Sequence, residues 1–138
     1  MFKLTLALMF VFSSCAQLAS EQPKLWAGIS VQKPVFEQTE TAKLVIFFAV
    51  VNDSTSTANP DVESSHLLVN GVEPENWSIT IHNGLRSRDF CSLPPGHTLL
   101  FTYGLGTLFT KPGTYTVRWE SVNFKSADMV FRVVPNSN

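Results

Sequence analysis

Hydrophobic and polar residues alternate along most of this chain, and the period is that of strands rather than helices. Near the carboxyl end, Tyr115, Val117 and Trp119 fall on one side and Thr116, Arg118 and Glu120 on the other. That is the pattern of an antiparallel strand with one covered face. Lys111-Pro112-Gly113 precedes it. A type II turn over residues 111–114, with Gly113 at positive φ, would start the strand at Thr114. Residues 131–134 supply a returning strand, so the chain is expected to close on a hairpin.

The same reading places the earlier elements. Residues 25–32 form a first strand, stopped by Pro34, which cannot donate to a ladder. Residues 42–51 form a second, and the run 44–51 is apolar on both faces. Such a strand belongs at the centre of a sheet, or has its outer face covered by another element or a partner. Residues 52–62, rich in Ser, Thr, Asn and Asp, read as a mobile loop. Residues 67–70 form a short strand ended by Asn70-Gly71, a tight-turn dipeptide. In residues 77–82 the alternation puts Trp77, Ile79 and Ile81 inside and Ser78, Thr80 and His82 outside, as in another strand. Residues 86–90 are expected as a short edge strand guarded by its charges. After Pro94-Pro95-Gly96, Leu99, Phe101 and Tyr103 mark one face of a strand over 97–103, and Gly104-Leu105-Gly106 marks a bulge or bend. Seven or eight short strands and no helical periodicity make the chain all-β.

A family resemblance sharpens this. The run Ile29-Ser-Val-Gln-Lys-Pro-Val-Phe36, followed by a polar turn at 37–40 and an apolar strand, resembles the opening of macroglobulin-type and related bacterial immunoglobulin-like domains. Leu93-Pro-Pro-Gly96 and Lys111-Pro-Gly-Thr-Tyr115 resemble turns of bacterial proteinase-inhibitor-like immunoglobulin domains. Tyr115, just after its turn, resembles the tyrosine corner of such domains, whose hydroxyl bonds to the upstream backbone. The resemblance implies an immunoglobulin-like antiparallel β-sandwich over residues 24–135. It leaves the activity open, since that architecture hosts many functions.

The amino terminus changes the compartment. Lys3 and the apolar run 4–12, followed by Ser13-Ser-Cys15-Ala16, read as a secretory signal peptide over residues 1–16. Phe12-Ser-Ser-Cys15 resembles a bacterial lipobox, in which Cys15 would be acylated; cleavage after Ala16 satisfies the same small-residue rule. Residues 17–23 would then form a short polar tether. The expected location is the bacterial periplasm, the cell surface through a lipid anchor at Cys15, or the medium. With Cys15 removed or acylated, Cys91 is the one thiol of the mature chain, so an internal disulfide is excluded. Its neighbours Phe90 and Leu93 suggest a packed thiol.

Charge and motifs narrow the function. The chain has ten basic and eleven acidic residues, and loss of Lys3 leaves a net charge of −2. Without a basic stripe, nucleic-acid binding is not expected. His66, His82 and His97 lack a second ligand at metal spacing, and Asp53, Asp61 and Glu63 lack calcium-loop spacing. No nucleophile elbow or phosphate loop is present. No enzyme activity and no cofactor are expected. The reading is an exported, non-enzymatic envelope protein that binds a protein partner through loops or a sheet face. Asp53, Asp61, Arg86, Arg88 and Leu93 are the loop candidates, and the membrane would be met only through the lipid anchor. A protease inhibitor presenting 92–96 or 52–62, and a hydrolase with an unrecognised site, are the alternatives.

Overall fold

The computed structural model describes residues 24–84 and 86–138. The expected signal peptide, Cys15 and the tether lie outside them. Seven strands and one short helix are present among the described residues: β1 Leu25–Val31, β2 Val35–Glu37, β3 Val45–Asn52, β4 His66–Val69, α1 Trp77–His82, β5 Thr98–Gly104, β6 Gly113–Glu120 and β7 Met129–Val134. They form two sheets, of strand orders β1-β3-β5 and β2-β7-β6-β4. All pairings are antiparallel except β2 with β7, which is parallel. The mostly-β expectation holds.

Pro34 explains how the chain enters both sheets. It ends the β1 ladder, and its carbonyl accepts a hydrogen bond from Arg132 N–H at 2.9 Å, which carries β2 over to β7. A 3-10 turn over Gln38–Lys43 follows, where Glu40 accepts from Glu37 N–H at 2.8 Å and from Lys33 Nζ at 2.6 Å. The Lys33 ammonium, helped by the Glu37 amide, holds the Glu40 carboxyl below the usual range.

One core lies between the sheets. Ile46, Phe48 and Val50 of β3 face Val117 and Trp119 of β6, all essentially inaccessible to solvent. The Phe48 ring meets Trp119 edge-on at 5.0 Å and stacks on Phe101 at 5.0 Å. A buried indole needs an acceptor, and Ser65 serves two of them. Its carbonyl accepts from Trp77 Nε1 at 2.7 Å and its Oγ accepts from Trp119 Nε1 at 2.9 Å.

The closing hairpin is present, with Gly113 opposite Val133 and Val117 opposite Met129. The Tyr115 hydroxyl donates to the Lys111 carbonyl at 2.7 Å. Its turn differs from expectation: Gly113 does not have positive φ, and it is already the first residue of β6. Asn70 (φ 50) and Gly71 (φ 82) turn the chain as expected, and Val69 and Val72 exchange backbone hydrogen bonds across them.

Two expected strands are absent. Residues 77–82 form α1, in which Trp77 and Ile81, one turn apart, are buried while Ile79 points outward. The Trp77–Ser65 hydrogen bond and the burial of Ile81 select the helix over the strand. Residues 88–90 form a 3-10 turn, and none of the expected edge strand at 86–90 is seen. Cys91, expected to be packed, is exposed. Gly106 marks a closer constraint than a bend: a Cβ there would lie 1.8 Å from the Thr41 carbonyl oxygen.

Two stability measurements follow from this packing. Ser65→Ala, which orphans the Trp119 N–H while leaving the Ser65 carbonyl, should cost about 1–3 kcal/mol in denaturant unfolding. Gly106→Ala, which drives a methyl into rigid backbone, should cost about 3 kcal/mol or more.

Candidate interaction face

The two sheets present opposite characters to solvent. On the outside of β2-β7-β6-β4 stand Thr114, Thr116, Arg118, Glu120 and Arg132, with Val130 among them. Arg118 lies 3.0 Å from Glu120 and 3.7 Å from Asp128. This is the solvated face that an antiparallel sheet ordinarily keeps.

The outside of β1-β3-β5 is different. Its register sets Trp26, Val51 and Thr98 in one row, Gly28, Ala49 and Leu100 in the next, and Ser30, Phe47 and Thr102 in a third. No charged residue occurs in these rows. Trp26 is 55% exposed, Phe47 44% and Leu100 71%. At one end Trp26 Nε1 donates to Asp53 at 3.3 Å and Lys24 Nζ sits 4.9 Å from the ring centroid. Large aliphatic and aromatic groups exposed in successive rows of one uncharged sheet face mark a surface that gains by being covered.

The two-sided apolarity of 44–51 was the sequence signal for this face. β3 is central, as expected, yet its outer side is left uncovered among the described residues. Trp26 and Leu100 could not be assigned to the patch without the register that places them beside Phe47 and Val51.

The loop candidates fare differently. The segments 52–62 and 85–96 do come together, because Ala58 and Leu93 exchange backbone hydrogen bonds at 3.0 and 2.8 Å. Residues 52–62 are not a free loop, however. The buried Asn52 donates through Nδ2 to the carbonyls of Ser56 and Leu93, and its Oδ1 accepts from Ser54. Ala58, Pro60 and Val62 are buried, and the Asn59 and Pro60 carbonyls accept from Asn123 and Ser121. Leu93 is wholly buried and cannot meet a partner; its place in the core is a correction to the loop reading.

Arg86 is half-buried and structural: it pairs with Glu63, donates to the Ile81 carbonyl and lies over the Phe90 ring. It ties α1 to the segment before β4. Arg88 is exposed and opens its 3-10 turn, where its carbonyl accepts from Cys91 and Ser92. Asp61 adopts φ 55 and starts the 3-10 turn Val62–Ser64. Asp53 alone among the candidates touches the apolar face, through Trp26.

Chemistry is sparse elsewhere. Among the described residues no three His, Cys, Asp or Glu side chains approach one another closely enough to hold a metal. A cleft of about 290 Å³ beside β5 is lined by Asn83, Ser87, Phe90, Leu100, Phe101 and Tyr103. There the Tyr103 hydroxyl donates to the Asn83 carbonyl at 3.1 Å, and burial raises its pKa against the opposing charge of Arg86. No helix of the described residues is long and apolar enough to cross a membrane. The chain matches no protein-family model, and comparison with curated proteins and with solved structures finds no match.

The stitching of 52–62 carries its own test. Deleting residues 54–58 removes the Ser56 carbonyl and the Ser54 hydroxyl bonded to Asn52, together with the Ala58–Leu93 bridge. The melting temperature should fall by several degrees, against no change for a deletion in a free loop.

Proposed function

We propose that this chain is an exported, non-enzymatic module with an immunoglobulin-like β-sandwich fold, and that it binds a protein partner through the outer face of β1-β3-β5. The observation that carries the binding reading is the uncharged, exposed row structure of Trp26, Phe47 and Leu100 on that sheet. The opposite sheet, similarly open, is charged, so composition alone does not produce such a face.

Supporting the fold reading are the two-sheet strand order, the entry of the first strands into both sheets, and the Tyr115 hydroxyl bonded to the Lys111 carbonyl at the start of β6. Domains of this kind are often pinned by a disulfide across the sheets. Here the Phe48–Trp119 edge-to-face pair stands between β3 and β6 instead. Export rests on the leader-like sequence of residues 1–16.

Neither alternative gains an observation. A protease inhibitor needs a side chain that projects into a cleft, and within 92–96 Leu93 turns into the core. A hydrolase needs a nucleophile and a base in reach of each other, and the Cys91 thiol instead contacts the Arg88 carbonyl of its own turn at 3.5 Å.

Photo-crosslinking amino acids placed singly at Phe47, Leu100 and Thr116 in the native host test the reading. Adducts to a protein should form from Phe47 and Leu100 and fail from Thr116, and Trp26→Glu should abolish them without lowering the melting temperature. Adducts only from Thr116, or none from any position, would overturn it.

A further inference from the structure

Strand β1 pairs with β3 on one side only. Two hydrogen bonds fix which backbone groups are used: Asp53 N–H donates to the Lys24 carbonyl at 2.9 Å, and Asn52 N–H to the His97 carbonyl at 3.0 Å. Along β3, odd-numbered residues therefore direct their backbone groups to β1 and even-numbered residues to β5. By the β1–β3 register, Trp26, Gly28 and Ser30 bond to β3, and Leu25, Ala27, Ile29 and Val31 direct N–H and C=O outward. Among the described residues no hydrogen bond reaches these outward groups.

Exposed edges are ordinarily blunted by shortness, charge, proline, a bulge or a covering segment. β2 has three residues and β4 has four. β5 is as long as β1, but it is covered at two points, with Phe90 5.0 Å from Phe101 and the Tyr103 hydroxyl bonded to the Asn83 carbonyl. β1 runs for seven residues, Leu-Trp-Ala-Gly-Ile-Ser-Val, with no charge and no proline. The core is also open on this flank: Leu25, Ala27, Ile29 and Val31 are only partly buried, whereas Ile46, Phe48 and Val50 of the neighbouring strand are fully buried.

We propose that β1 pairs antiparallel with β1 of a second copy about a two-fold axis at Gly28, joining two three-stranded sheets into one of six strands. Self-complementarity commits the edge to a second copy. With Gly28 opposite its own equivalent, Ala27 falls opposite Ile29 and Leu25 opposite Val31, so every outward donor meets an acceptor, in about eight hydrogen bonds. Trp26 falls opposite Ser30, and Lys24 opposite Gln32, so no charge meets its like. At the axis, a Cβ built on Gly28 has nothing within 4 Å, which leaves room on the outer side for Trp26 of the second copy. The proposal stands on the backbone edge and does not depend on a partner for the outer face.

Sedimentation velocity of the mature exported chain tests it. The expected result is a dimer fraction that rises with concentration. Ala27→Pro removes an N–H the monomer does not use, and Gly28→Lys sets two cations against each other on the axis; each should give a folded monomer. Phe47→Glu, on the outer face away from the edge, should leave the dimer intact even if it abolishes partner binding. The register has its own readout in a Cys91→Ser background. Gly28→Cys should form an intermolecular disulfide on mild oxidation, because unbonded antiparallel pairs bring Cα atoms to about 4.5 Å, whereas Ser30→Cys should not. A wild-type chain that stays monomeric at its highest soluble concentration would overturn the proposal. So would a dimer that survives both β1 variants, or a disulfide from Ser30→Cys in place of Gly28→Cys. A monomer whose Ala27 and Ile29 amides exchange slowly would give the edge to another segment of the chain and overturn it equally.

Discussion

Two indole N–H groups buried in one small core must both find acceptors, and a single residue between β4 and the preceding 3-10 turn supplies them. Ser65 accepts from Trp77 through its carbonyl and from Trp119 through its hydroxyl. That arrangement ties α1 to β6 across the start of β4. An unpaired N–H in such surroundings costs as much as several well-packed methylenes contribute, so the positions of α1, β4 and β6 are coupled. The Phe48 ring, packed on both indoles at 5.8 and 5.0 Å, extends the coupling to the opposite sheet. Cys91, the one cysteine among the described residues, is free, and this aromatic cluster packs the two sheets against each other.

The satisfaction of the core contrasts with the surface of β1-β3-β5. Inside, the buried side chains of Thr41, Asn52, Ser65 and Ser126 are all hydrogen-bonded; outside, an uncharged sheet face and, among the described residues, an unpaired strand edge stand next to each other on the same sheet. Folding gains nothing from leaving Trp26, Phe47 and Leu100 in water, and a polar substitution at any of them would be compatible with the core beneath. Both features lie on one sheet, while the other sheet is charged on its face and has short edge strands, and the two association proposals rest on that asymmetry. The apolar face offers area without direction. The strand edge offers direction, because backbone groups at fixed spacing accept only another strand in register.

Much of this fold is written in the local residue pattern, and identifiable parts are not. Alternation located β3, β5, β6 and β7 because each has a covered inner face whose period survives in the residues themselves. It failed at 77–82, where Trp-Ser-Ile-Thr-Ile-His satisfies a period of two over six residues, too short a run to be told from a helical turn that buries only Trp77 and Ile81. It missed β2, because three residues after Pro34 carry no period and owe their strand to pairing with β7. The loop reading of 52–62 rested on composition, and composition cannot register that Asn52 is buried and bonded to Leu93, 41 positions away.

The candidate face was half legible. The sequence by itself determined that 44–51 is apolar on both sides, that Cys15 and Cys91 are the chain's two cysteines, and that no motif for metal, phosphate or nucleophilic chemistry is present, since these depend only on residue type and spacing. Only the tertiary structure decided that, among the described residues, Phe47 on the second apolar side of β3 is exposed, and that Trp26 and Leu100 share its face. The strand order and register set those neighbours, through hydrogen bonds between residues far apart along the chain.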